Sequence, residues 1–231
     1  MQRVTEPELM LDYQQVKAYA EADFSSSDEK MIGRLEQYLL TIGKSINSGS
    51  LIIDIGCGPG NITERLAKKW PFATIIGFDG SEEMLKVARL RKNKSEFLRD
   101  LKGLIYMKRN LSSSSSTVSS FTKSADLIIS NSVLHHIHNP NLFWNAIKNL
   151  GEEGTVIFQK DLRRPISLEH AKNLPMKYEA NMPDILKRDY MASLKASFTV
   201  SEVQVQLKSA GLSQLKVFEL DDRYLEITGV L

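Results

Sequence analysis

Residues 51 to 63 read Leu-Ile-Ile-Asp-Ile-Gly-Cys-Gly-Pro-Gly-Asn-Ile-Thr, an acid followed by three glycines on alternate positions. Gly56, Gly58 and Gly60 free the backbone for a tight turn and let a bound molecule approach the main chain closely. A second acid, Asp79, follows roughly twenty residues on, a separation that suits one βαβ unit and places a carboxylate where it can accept ribose hydroxyls. Together they describe a site for a nucleotide-like cofactor. Dinucleotide binders need G-x-G-x-x-G, but counted from Gly56 and Gly58 the third position is Asn61. A P-loop fails as well, because no Gly-Lys-Ser/Thr follows. Further along, Asn131, the cluster His135, His136 and His138, and Asp161 are the other side chains with chemistry to offer.

The elements that must carry these residues follow from periodicity. Leu51 to Ile55 is a short apolar run with β-branched residues, the pattern of a parallel strand covered on both faces. Asn61 to Trp70 follows as a helix with Ile62, Leu66 and Trp70 on one face. Strands are predicted at 73–78, 104–107, 125–130, 155–160, 215–220 and 224–230, the last two joined by Asp221-Asp222-Arg223 as an antiparallel hairpin. Helices are predicted from Ser81, over 141–150, and from Thr199, where Glu202 completes a capping box and Gly211 ends the helix. Two more, over 12–24 and 27–42, precede the first strand, the second with Ser26 and Glu29 as its capping box. The serines from Ser112 to Ser120 have no apolar period and read as a surface loop.

Composition narrows the function classes. The chain of 231 residues, 42% hydrophobic, has room for one domain with insertions. Thirty basic and 28 acidic residues leave a net charge of +2, without the electrostatic footprint of a nucleic-acid binder. Cys57 is the only cysteine, which excludes an intrachain disulfide or a site of several thiolates. The expectation is a soluble, cytoplasmic protein with neither a membrane nor a nucleic-acid partner and of unknown oligomeric state.

The segment Asp54-x-Gly56-x-Gly58-x-Gly60 resembles motif I of the class I S-adenosylmethionine (SAM) dependent methyltransferases. Asn131-Ser132-Val133-Leu134-His135-His136 is similar to motif IV of their small-molecule branch of quinone-biosynthesis type. It differs from the Asn/Asp-Pro-Pro-Tyr/Phe of enzymes that methylate bases in nucleic acids. The resemblance implies an α/β fold: a doubly wound, mostly parallel seven-stranded sheet with its last strand antiparallel. It also implies SAM as cofactor and a cofactor site formed from Tyr19, Asp54, Gly56, Gly58, Asp79, Gly80, Ser81, Met84, Asn110, Leu111 and Asn131. In that scheme the glycines lie against the methionine half, Asp79 holds the ribose and Asn110 stands beside the adenine amino group. Tyr19 either reaches the SAM carboxylate or is core, and Met84 packs on the adenine or in the core.

Methyl transfer to a small-molecule acceptor is an in-line displacement that rests on positioning, and a base is needed only for some acceptors. His136 and Asp161, at the ends of the fourth and fifth strands, are the candidates. No metal site is expected, because adjacent His135 and His136 would diverge on a helix or a strand. The rival functions are a non-catalytic SAM-binding sensor or subunit and, disfavoured by the glycine spacing, an NAD(P)-dependent oxidoreductase. The domain divides into an N-terminal helical cover over 1–49, a core over 50–162, a helical insertion over 163–198 and a C-terminal helix with hairpin strands over 199–231. Connections of such length are usually functional. The insertion, with Met176, Tyr178, Met182, Tyr190, Met191 and Phe198, is expected to form an apolar lid.

Overall fold

The computed structural model describes residues 1–111, 124–178 and 181–231. Seven strands, β1 (Leu51–Ile55), β2 (Thr74–Asp79), β3 (Leu104–Lys108), β4 (Leu127–Asn131), β5 (Val156–Leu162), β6 (Lys216–Glu219) and β7 (Tyr224–Val230), form one sheet. Their order is β3-β2-β1-β4-β5-β7-β6, with β7 antiparallel to both of its neighbours. Chain order reverses between β1 and β4, and at such a switch point two strand ends diverge and leave a crevice.

Every residue of β1 is buried, Asp54 included, as a strand between two helical layers requires. Ile52 and Leu127 face one layer, packed on Leu35 of α2 (Ser25–Thr41), Leu66 of α3 (Asn61–Lys69) and Leu85 of α4 (Glu82–Lys94). Ile53 and Ile128 face the other, packed with Trp144 and Val203. Those two come from α6 (Pro140–Leu150) and α9 (Val200–Ser209), with α1 (Tyr13–Glu21), α5 (Glu96–Asp100), α7 (Leu168–Tyr178) and α8 (Asp184–Ala196) completing the helices described. Among the described residues no helix is long and apolar enough to cross a membrane.

The Thr199–Glu202 capping box forms as the sequence predicts. The Ser26–Glu29 box does not. Helix α2 begins at Ser25 with Phe24 as N-cap and no side-chain cap, and Asp23 Oδ1 takes the Ser25 N–H, one of the orphan donors of the first turn. Strand β5 runs two residues beyond its predicted end at 160, because pairing with β7 continues through Asp161↔Leu225 and Leu162↔Tyr224. Gln159, Lys160 and Asp161 on this strand are all buried. At the far side of the sheet Arg34 of α2 donates twice to Glu226 of β7, at 2.8 and 2.7 Å. This bidentate pair pins α2 over the sheet edge. The serine run, Ser112 to Ser120, lies outside the described residues.

Candidate active site

The glycine turn and Asp79 are one unit. Gly58 N donates to Asp79 Oδ2 at 2.8 Å, and Ser81 N donates to Oδ1 at 2.7 Å. Each carboxylate oxygen keeps acceptor capacity for one more donor, so the acid is oriented by the backbone and still able to take two hydroxyls. Burial raises its pKa against the pull of these N–H groups and of His136. Gly56, Gly58 and Gly60 all have positive φ. At Gly60, the N-cap of α3 (φ 92°), an added Cβ would stand 2.5 Å from the Tyr106 hydroxyl, and at Gly56 it would overlap Val133.

A cavity opens at the carboxyl ends of β1, β2, β4 and β5. Of the residues that the sequence points to, Tyr19, Gly56, Gly58, Asp79, Gly80, Ser81, Met84, Asn110, Leu111, Asn131 and His136 line it. Two do not. Asp54 lies behind the turn, fully enclosed, where Thr63 Oγ1 donates to it at 2.6 Å. Burial pushes its pKa up to about 7, with Asp79 and Asp28 adding to the rise against the Thr63 bond. Asp161 also points away from the cavity. Its Oδ2 accepts from Val133 N at 2.9 Å and Leu134 N at 2.6 Å, and its Oδ1 meets His135 Nδ1 at 2.5 Å. A carboxylate committed to three donors is a clamp on the histidine turn, not a base facing an acceptor. Arg163 and Arg164, which follow it closely in sequence, pair with Glu219 and Glu202 and not with Asp161.

The turn itself departs from expectation. Ser132 takes a left-handed backbone (φ 58°), rare for a residue with a side chain and typical of constrained sites, and Leu134–His136 forms a single 3-10 turn. The rings of His135 and His136 therefore do not diverge. Their centroids are 4.1 Å apart, and both face Glu6: His136 Nδ1 is 3.2 Å and His135 Nε2 3.6 Å from Oε1. Burial alone would lower the His135 pKa, but the Asp161 charge and hydrogen bond, with Glu6, outweigh it and the net direction is up. Glu6 moves the other way, the His136 contact outweighing burial. The ligand atoms of Glu6, His135 and His136 all lie within 4.8 Å of one another, donor types that suit a divalent cation. Arg3, donating to the carbonyls of His135 and Ile137, puts a fixed positive charge beside them, which opposes a cation there.

The cover has two parts that sequence periodicity misses or misplaces. Residues before α1 form a strap: Ser81 Oγ donates to Met10 O at 2.7 Å, His138 N donates to Glu8 at 2.8 Å, and Leu9 packs where a Gly80 side chain would be. Glu8, Leu9 and Met10 line the cavity. Among the described residues of the insertion, Met182, Leu186, Asp189, Tyr190 and Ser193 line it. Met176 is exposed, and Phe198 is in the core beneath the Arg3 guanidinium. Gln15 Nε2 donates to Asp189 at 3.0 Å and ties α1 to α8.

The profile of the methyltransferase domain family matches residues 46–203. The chain belongs to that family. Its sheet order and glycine turn are those of a Rossmann-like methyltransferase fold, and solved structures share it at low identity. The plantazolicin methyltransferase BpumL, in complex with a pentazolic desmethylPZN analog and SAH, superposes with a TM-score of 0.68 at 16% identity, over 94% of this chain and 90% of that one. A SAM dependent methyltransferase from Aquifex aeolicus gives 0.64 at 16% identity, over 95% and 98%. Among curated relatives, a trans-aconitate 2-methyltransferase from Methylobacterium nodulans is 30% identical over 165 residues, 69% of this chain and 56% of that protein. One from Afipia carboxidovorans is 57% identical over 47 residues, 20% of this chain and 18% of the relative. The chain thus spans less than a fifth to just over half the length of these relatives.

Proposed function

We propose that the protein is a SAM-dependent methyltransferase acting on a small-molecule acceptor. The observation that carries this is the glycine turn coupled to Asp79 at the mouth of a cavity in a methyltransferase fold. The cavity fits the cofactor on its own terms: Asp79 has acceptor capacity for two ribose hydroxyls, the turn leaves no side chain between main chain and ligand, and Asn131 Oδ1 is buried without a hydrogen-bond partner. In this reading Met84, Asn110 and Leu111 serve the adenine and Gly56, Gly58 and Tyr19 the methionyl end, and all six line the cavity. When bound, SAM supplies a methyl carbon made electrophilic by its sulfonium. The chain's own task is to align an acceptor behind that carbon and to exclude water, which the strap and α8 do from above.

For an acceptor that must lose a proton, His136 is the base. The Glu6 carboxylate 3.2 Å from Nδ1, outside hydrogen-bond geometry, favours by its charge the tautomer with a proton there, which leaves Nε2 with its lone pair. This matches the logic of an acid that orients a histidine.

Two measurements test the assignment. Asp79→Ala is expected to weaken S-adenosylhomocysteine (SAH) binding by about 2 kcal/mol, roughly thirtyfold, through lost hydrogen bonds to a charged acceptor; wild-type affinity by calorimetry removes Asp79 from the site. Once an acceptor is found by screening metabolites with labelled SAM, His136→Ala is expected to slow single-turnover transfer by about a hundredfold. A near wild-type rate across pH 6 to 9 leaves positioning as the whole of the catalysis.

A further inference from the structure

Lys160 lines the cavity, yet nothing in the cofactor scheme above uses it. It sits on β5, 3% exposed. Its ammonium donates one hydrogen bond, to Ser27 Oγ at 2.9 Å, and lies 4.5 Å from the centre of the Tyr224 ring. Among the described residues no carboxylate oxygen comes within 4.0 Å of it. An ammonium has three donors, and a buried charge without its counter-charge is costly. Burial accordingly brings its pKa down to about 8, with Asp28 opposing. On the same cavity wall Asp28 Oδ2 and Asn131 Oδ1 are buried without a hydrogen-bond partner, Arg65 standing 3.4 Å from Asp28.

We propose that Lys160, with Ser27 and Tyr224, forms a carboxylate-binding subsite. An anion there completes the ammonium's hydrogen bonds and supplies the missing charge at short range, where it counts most. A single negative charge suits the position better than a phosphate, because the Asp28 carboxylate and the Asn131 carbonyl close by repel a second one. These two instead suit an ammonium or hydroxyl on the same ligand. The subsite lies well away from the ribose acid: Asp79 ends β2, Gly56 follows β1, Asn131 ends β4, and Lys160 pairs with Asn131 from within β5, on four successive strands of the sheet. Three inter-strand steps of about 4.8 Å put the two backbones roughly 14 Å apart. That span accommodates two sources of the carboxylate, the α-carboxylate of the cofactor's methionyl end or a carboxyl group on the acceptor. The proposal rests on the cofactor assignment above.

Calorimetry on the full chain, wild type, Lys160→Met and Lys160→Arg, with three probes separates the possibilities. The probes are SAH, 5′-methylthioadenosine, which lacks the amino-acid end, and trans-aconitate titrated into the SAH complex. A loss of about tenfold to a hundredfold for SAH in Lys160→Met, with 5′-methylthioadenosine unchanged and Lys160→Arg partly restored, assigns the subsite to the cofactor. A similar loss confined to trans-aconitate assigns it to the acceptor. Unchanged affinity for all three probes overturns the subsite, as does a parallel fall for SAH and 5′-methylthioadenosine, which marks a damaged cavity. Wild-type protein that binds neither nucleoside overturns the cofactor assignment itself, a different failure from wild-type binding that Lys160→Met leaves intact.

Discussion

Asp161→Ala is expected to cost about 3–5 kcal/mol of folding stability, as removal of one partner from a buried charged network does. The side chain is 3% exposed and receives the Val133 and Leu134 N–H groups and the His135 ring. Truncation leaves two backbone donors without partners, each worth about 1–3 kcal/mol of desolvation, next to a histidine left with only Glu6. Asp161→Asn keeps one acceptor oxygen and offers the wrong group to the other donors, so an intermediate loss is expected. Urea denaturation measures both. A base exposed to the acceptor would behave oppositely, with stability near wild type and the loss confined to rate. If Asp161→Ala unfolds at the wild-type midpoint, the clamp is not what holds the Leu134–His136 turn.

How much of this was legible in the sequence depends on range. The β1 run, the glycine turn, Asp79 and the capping box at Thr199 are local patterns, each fixed by residues within a few positions, and they stand where spacing puts them. Asp161 reads as a rim residue because a strand end and a site rim look alike in sequence. Only the pairing of β5 with β7 through Leu162 places it inside the sheet. Glu6 and His136 are separated by 130 residues, and no periodicity in an irregular strap announces that contact. The tilted contact of the His135 and His136 rings follows a left-handed Ser132, a conformation no sequence rule assigns to serine. Lys160 did leave a signal. Gln-Lys-Asp continuing the apolar run Val-Ile-Phe places polar side chains on a strand covered on both faces, and those charges must meet a partner or a ligand. Met176 and Met191 misled for the converse reason: composition names a lid, but only helix phase decides which side chains face inward, and Met176 faces solvent.

The acid at the head of the glycine turn leads to a thermodynamic expectation. Asp54 is raised from the ordinary aspartate value of 3.8 to about 7, chiefly by burial. Folded protein therefore holds a proton on Asp54 between those two pH values where unfolded protein does not. The stabilisation from that proton is complete below about pH 4 and is lost as pH rises towards 7. About three pKa units at 1.36 kcal/mol each make this roughly 4 kcal/mol for a fully buried group. Asp54→Asn keeps an oxygen to accept from Thr63 Oγ1 and abolishes the titration. The stability of Asp54→Asn minus that of wild type should thus rise with pH, by up to about 4 kcal/mol between pH 4 and 8, most of it between pH 5 and 7. Taking the difference removes the carboxylates common to both proteins, including Glu6 and Glu202, whose shifts are downward and whose own pH dependence has the opposite sign. Denaturant midpoints at unit pH steps are sufficient. A difference that stays flat from pH 4 to 8 means that Asp54 is solvated or paired in solution, and that the glycine turn is not built on a buried acid.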